Sequence, residues 1–113
     1  MRVLVCGGRH YKDEITMAWA LRPFESDATL IIHGGATGAD SLADEWAHDY
    51  NIPVECYEAD WKRWGNSAGP IRNQQMIDEG KPDLVIAFPG GRGTADMVRR
   101  AREAGIRVEE VRK

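Results

Sequence analysis

Three features of the sequence predict an α/β fold: one domain over residues 1–113, with a five-stranded parallel sheet in the order 3-2-1-4-5 and helices on both faces. Apolar runs of strand length occur at residues 2–6, 28–33 and 84–88. Each leads into a glycine-bearing loop and then a helical pattern, the alternation that builds parallel sheets with right-handed crossovers. Two further strands, at residues 54–59 and 106–111, carry Glu55, Glu58, Glu109 and Glu110. Charged strands belong at sheet edges. A 2-1-3-4-5 order would instead bury the charged third strand and expose the apolar second.

The first strand, residues 2–6, is apolar on both faces and runs into Gly7-Gly8-Arg9-His10-Tyr11. This loop lacks the GxGxxG spacing of dinucleotide sites. Asp13 can cap a helix reaching about Phe24, with Met17, Leu21 and Phe24 on one side and Ile15 and Trp19 beside them. Pro23 ends its regular part. The second strand, residues 28–33, opens into Gly34-Gly35-Ala36-Thr37-Gly38-Ala39-Asp40. A helix to about Tyr50 follows, with Leu42, Trp46 and Tyr50 spaced by four, until Asn51-Ile52-Pro53 breaks it.

Residues 60–69, DWKRWGNSAG, form the only sizeable irregular segment. Pro70 suits the first turn of a helix reaching about Glu79, and Gly80-Lys81-Pro82 stops it. The most apolar strand, residues 84–88, ends at Pro89, which has no N–H for a ladder. Gly90, Gly91 and Gly93 let the backbone turn and approach a ligand, and Thr94 is a candidate N-cap for a helix with Val98, Ala101 and Gly105 in its stripe.

In this order the three glycine loops end three adjacent strands, beside the point where open α/β sheets bind ligands. Three helix N-termini there would converge on an anion, and phosphate is the anion expected. Arg9 and Arg72 are its best side-chain donors, being forked and always charged. Arg92 is undecided, whereas Arg99, Arg100 and Arg102 fit an outer helix face. Thr37 can cap its helix with Asp40 answering the dipole, or Asp40 can take a ribose hydroxyl. Trp61 and Trp64 flank Lys62 and Arg63, and either stack on a base or lie over the sheet end as a lid.

Composition narrows the partners. Hydrophobic residues make up 42% and charged residues 29%, with a net charge of −3 that argues against nucleic acid as the partner. No apolar run has the length of a membrane span, and the N-terminus lacks a signal-peptide pattern, so neither membrane nor export is expected. Cys6 and Cys56 read as buried free thiols of a reducing cytoplasm. His10, His33 and His48 have no metal-ligand spacing, so neither metal nor cofactor is expected.

The motifs resemble known families. PGGRGT after a buried strand, with Arg72-Asn73-Gln74-Gln75-Met76 before it, is similar to the paired motifs of the "lonely guy" (LOG) phosphoribohydrolases. GGATGAD opening a helix, with Gly7-Gly8-Arg9, resembles the ligand loops of the DNA-processing proteins DprA/Smf. With the W..WG..AGP.RN segment, the chain looks like the YspA/YpsA-related branch of the SLOG superfamily over residues 2–111. That resemblance implies a Rossmann-like sheet that binds nucleotides, nucleotide-derived signals or, in the DprA branch, single-stranded DNA. Arg72 matches the LOG arginine, and residues 90–94 match its phosphate cradle. The LOG lysine is replaced by Asn73, and the catalytic glutamate falls on Met97, which cannot protonate a leaving base. Asp96 is adjacent but about 100° round the helix.

The function expected is binding of a nucleotide or nucleotide-derived, ADP-ribose-like ligand, by a sensor or sequestering protein that forms a homo-oligomer. Its ligand contacts would come from Gly7, Gly8, Arg9, Gly34, Gly35, Thr37, Gly38, Asp40, Trp64, Arg72, Asn73, Pro89, Gly90, Gly91, Gly93 and Thr94. One rival is hydrolysis of the N-glycosidic bond of a nucleoside monophosphate, with Asp40 or Asp96 as the catalytic carboxylate. The other is single-stranded DNA binding through Trp61 and Trp64.

Overall fold

In a computed structural model describing residues 1–112, the middle of the sheet is β1 (Arg2–Cys6), buried from its second residue onward. On one side it pairs with β2 (Leu30–His33), and β2 with β3 (Val54–Cys56). On the other it pairs with β4 (Leu84–Ala87), and β4 with β5 (Arg107–Glu110). All pairings are parallel and the order is 3-2-1-4-5, as the distribution of charged strands predicts.

The connections fill both faces. α1 (Glu14–Leu21) and α2 (Ala39–Asp49) pack Met17, Leu21, Ala43 and Trp46 on Val3, Val5, Ile31 and Ile86. α3 (Trp61–Trp64) is a single turn; α4 (Ala68–Gly80) and α5 (Arg92–Glu103) close the opposite face. There Met76, Ile77, Met97, Val98 and Ala101 meet Leu4, Ile32 and Val85. Alternate side chains of each inner strand thus serve two cores. Among the described residues, no helix is long and apolar enough to cross a membrane.

Several boundaries differ from the sequence reading. α1 stops at Leu21, and Arg22–Phe24 tightens into a 3₁₀ turn carrying Pro23. Ile15 and Trp19 do not join the core but face outward, because Met17 and Leu21, with Ala20 and Phe24 beside them, fill the stripe over the sheet. β3 stops at Cys56, whose thiol is exposed rather than buried. The segment expected to be irregular is mostly helical: Asp60 caps α3 by accepting from the Arg63 N–H, and a 3₁₀ turn (Gly65–Ser67) leads into α4. α4 therefore begins two residues before Pro70, which still sits in the first turn, where no N–H is needed. α5 likewise begins at Arg92, inside the glycine loop.

Candidate functional site: a cleft between interlocked glycine loops

The loops after β1, β2 and β4 meet at the C-terminal edge of the sheet and are bonded to one another. The Gly8 N–H donates to Pro89 O (2.9 Å), and Gly8 O accepts from the Ala39 N–H (3.1 Å). Thr37 Oγ1 donates to Arg9 O (3.0 Å). So close an approach leaves no room for side chains. A Cβ on Gly7 would lie 2.6 Å from the Ala39 Cβ, and one on Gly8 3.0 Å from Pro89 O. At Gly34 it would run into the Arg72 guanidinium, and at Gly90 into Thr94 Oγ1 and Gly8 N. Loop packing requires Gly7 and Gly90 and leaves little room at Gly8, whereas at Gly34 the atoms in the way belong to the movable end of Arg72.

Gly91 and Gly93 are different. A Cβ at either would meet no atom within 4 Å, and neither has a positive φ. Both face a cleft of about 680 Å³, lined also by Gly7, Gly8, Arg9, His10, Gly34, Asp40, Arg72, Asn73, Pro89, Gly90, Arg92 and Thr94. Cys6 and Met76 contribute apolar lining. Three arginines face a single carboxylate there, in a chain of net charge −3.

The helix ends differ in how much they offer an anion. Asp13 caps α1 by accepting from the Thr16 N–H (3.0 Å). The first N–H of α2 is taken by Gly8 O. α5 is opened by Gly91 without a side-chain cap, so the N–H groups of its first turn have no intrahelical acceptor. α2 is also without a side-chain cap, so two N-termini rather than three are left to address the cleft, that of α5 the freer. The caps expected from Thr37 and Thr94 are absent: Thr37 is turned toward Arg9 O, and Thr94 is the third helical residue.

Asp40 is buried, and its Oδ2 accepts from the N–H groups of Gly34 and Ala36, both at 3.1 Å. The carboxylate ties down its own loop. Burial raises its pKa above the ordinary value, and the Ala36 N–H, His33 and Arg72 offset only part of this. Burial, with Asp40 and Glu110 near, pushes the Cys6 thiol up to about 12, so it is no nucleophile at neutral pH.

Arg72 lies in the second turn of α4, because the helix starts at Ala68, so it does not oppose the positive end of the dipole as a first-turn residue would. It is half-buried and not simply solvent-facing: Nη1 donates to Gly34 O (2.5 Å) and Nε to Asn73 Oδ1 (3.2 Å). Burial lowers its pKa while Asp40 pulls it back up, and a guanidinium stays charged throughout. Asn73, buried, donates to Gly93 O (3.2 Å) and Asp96 Oδ2 (3.0 Å). Consecutive residues of α4 therefore hold two of the glycine loops.

Of the residues expected at the site, Gly35, Thr37, Gly38, Trp64 and Asp96 are not brought into the cleft lining. Asp96 faces α4 and accepts from Asn73, Arg99 (2.9 Å) and Arg100 (2.8 Å). Burial pushes its pKa up, but the hydrogen bonds of Arg100 and Asn73 and the Arg100 charge hold it below its usual 3.8. A depressed carboxylate stabilises the fold above its unfolded pKa and loses that contribution as pH falls through its folded pKa. Asp96→Asn should therefore cost about 1 kcal/mol at pH 7 for this partly exposed cluster. The gap between the two proteins should close below pH 3.8 in urea melts run across pH. Trp64 carries the Arg63 guanidinium over its ring (4.6 Å) on the exposed α3.

Sequence reasoning missed the His33 clamp. His33 is buried, its Nε2 2.8 Å from Asp44 Oδ1 and its Nδ1 accepting from the Gly35 N–H (3.0 Å). That fixes the ring proton on Nε2 and pins the second glycine loop to α2. Asp44 lies one helical turn after Asp40, and that spacing was the available signal. Arg92, left undecided, lines the cleft.

The profile of the YspA, cpYpsA-related SLOG family matches residues 1–64. The Gene 61 protein of Mycobacterium phage D29 is 40% identical over 95% of this chain and 93% of its own length. The chain belongs to the YspA, cpYpsA-related SLOG family. Two solved structures share the SLOG chain's Rossmann-like fold. The X-ray structure of TM1055, a structural genomics target, has a TM-score of 0.76 at 19% identity, covering 95% of this chain and 71% of that one. MurG of Acinetobacter baumannii has a TM-score of 0.56 at 17% identity, and this chain spans 34% of its length. In this SLOG chain Met97, where the LOG motif has its glutamate, is buried among Leu4, Val85 and Met76 on the sheet. The position fills a core.

Proposed function

We propose that this chain binds a nucleotide or nucleotide-derived, ADP-ribose-like ligand, as a sensor or sequestering protein. Its phosphate would lie on the free first turn of α5. The observation that carries this reading is the pair Gly91 and Gly93, glycines without a positive φ and with open space where a Cβ would be, at an uncapped helix N-terminus in a cleft lined by three arginines. Such a terminus favours anions, and the cleft volume is in the range of small-ligand sites. Membership of the SLOG family supports the same class of ligand, and two unpaired thiols fit a reducing cytoplasm.

The test separates ligand binding from fold geometry. In a thermal-shift panel of AMP, ADP-ribose, NAD and cyclic nucleotides, at least one is expected to raise the melting temperature. Saturation to 100 times the dissociation constant corresponds to about 2.7 kcal/mol. Gly91→Ala and Gly93→Ala should fold as well as the parent, Gly93→Ala slightly better because alanine favours helix. Both should lose the ligand-induced shift, since each Cβ would occupy the cradle. A panel without any shift sinks the reading, and so do alanine variants that bind normally.

One observation favours a hydrolytic rival: a carboxyl of raised pKa, Asp40, at the cleft. That reading would be recognised by repeated release of base from AMP. Against it, Asp40 Oδ2 is committed to two backbone N–H groups, and Asp96 is a depressed, ion-paired carboxylate.

A further inference from the structure

We propose that β5 pairs antiparallel with β5 of a second copy of this chain, across a two-fold axis at Val108, joining two five-stranded sheets into one. β5 is the last strand of the sheet, and its outer edge has no partner among the described residues. The direction of its amides is fixed by the neighbouring strand. The Val111 N–H donates to Ala87 O on β4 (2.8 Å), and successive residues of a strand point their amides to opposite sides. Arg107, Glu109 and Val111 therefore bond inward, while Val108 and Glu110 present N–H and C=O outward.

An antiparallel two-fold pairing must place one residue opposite itself. Outward amides allow Val108 or Glu110 at a hydrogen-bonded centre, and inward ones allow Arg107, Glu109 or Val111 at a non-hydrogen-bonded centre. Centres at Arg107, Glu109 or Glu110 set like charges face to face, which is destabilising, and Val111 lies beyond the end of the strand at Glu110. A centre at Val108 sets valine against valine, the two residues exchanging both hydrogen bonds. It also puts Arg107 opposite Glu109 twice, in the non-hydrogen-bonded positions where side chains come closest. The segment Arg107-Val108-Glu109 is thus complementary to itself when reversed, as an isologous contact requires. Among the described residues these two charges have only each other, Arg107 Nη2 lying 2.5 Å from Glu109 Oε1.

The ground beside the strand is suited to a neighbour. Ile15 and Trp19, 84% and 72% exposed, line a groove with Phe24, Ile86 and Val111 alongside β5. Its charges are mixed, Arg22, Arg107 and Arg112 with Asp27, Glu109 and Glu110, so the same surface on a second copy meets no excess of one sign.

Sedimentation equilibrium on the full chain tests this independently of any ligand. The wild type is expected at twice the 12.6 kDa of one chain. Arg107→Glu, at an exposed position, should keep its melting curve and sediment as a monomer, because it faces Glu109 of the partner with like charge. Arg107→Glu with Glu109→Arg restores opposite pairs and should recover the dimer. Val108→Pro, which removes an outward N–H and no bond to β4, should also give monomer. A monomeric wild type, a dimer indifferent to Arg107→Glu or Val108→Pro, or a double variant that stays monomeric would each overturn the proposal.

Discussion

Gly38→Ala is expected to unfold a large part of the population or to lower the melting temperature by more than about 10 °C. Gly38 has φ +76°, and a Cβ there would lie 2.7 Å from Arg9 O and clash with Gly8 O, both backbone atoms that cannot rotate away. A left-handed position costs a non-glycine residue about 1–3 kcal/mol, and forced overpacking about as much again. Against a total stability of about 5–15 kcal/mol, the sum of roughly 3–5 is severe. Gly105 supplies the control: its φ is +75°, but a Cβ there meets nothing within 4 Å. Gly105→Ala should show the conformational cost alone, about 1 kcal/mol. If the two variants melt together in parallel urea titrations, loop-on-loop crowding is not what holds the site.

Arg72→Ala is expected to lose both stability and ligand. Its Nη1 is the side-chain donor to the carbonyl of Gly34, a buried residue. Truncation leaves that carbonyl unpaired at about 2–3 kcal/mol. Nη2 has no hydrogen-bond partner among the described residues, and the side chain lines the cleft, so one arm of the fork is open to a phosphate. Affinity should fall roughly ten- to a hundredfold, about 1.5–3 kcal/mol. Lysine should recover only part of either effect, since it cannot hold the carbonyl and the phosphate with one planar group. Calorimetric titration with the best nucleotide of the panel, beside melting curves without it, separates the two roles. Unchanged affinity would sink the phosphate contact, and an unchanged melting temperature would sink the structural one.

The strand order was readable because burial leaves a plain mark on composition. Leu84-Val85-Ile86-Ala87 tolerates no charge, while Glu55 and Glu109 mark strands with a solvated side. Helix starts were less readable, since Ser67, Gly91 and Gly38 open their helices without any side-chain cap, and only capping residues advertise themselves. The glycine positions were found as a group, but their reasons were not separable. Gly7 and Gly91 look alike in a sequence, and only the packing around them shows that one fills a contact and the other leaves a space. His33 and Arg72 depended on partners far along the chain or without any motif, so their bonds to Gly35 and Gly34 lay beyond spacing arguments.

The bonds from Gly8 to Pro89 and from Ala39 to Gly8 join segments about 80 and 30 residues apart, with β1 between its neighbours β2 and β4. Such a cleft cannot assemble piecemeal. Loop-closure entropy makes contacts of that span slower to form than local ones. The first half of the chain by itself would carry two of the loops and none of α5. A cleft lined by residues from Gly7 to Thr94 is therefore complete only once the start of α5 is in place against β1 and β2.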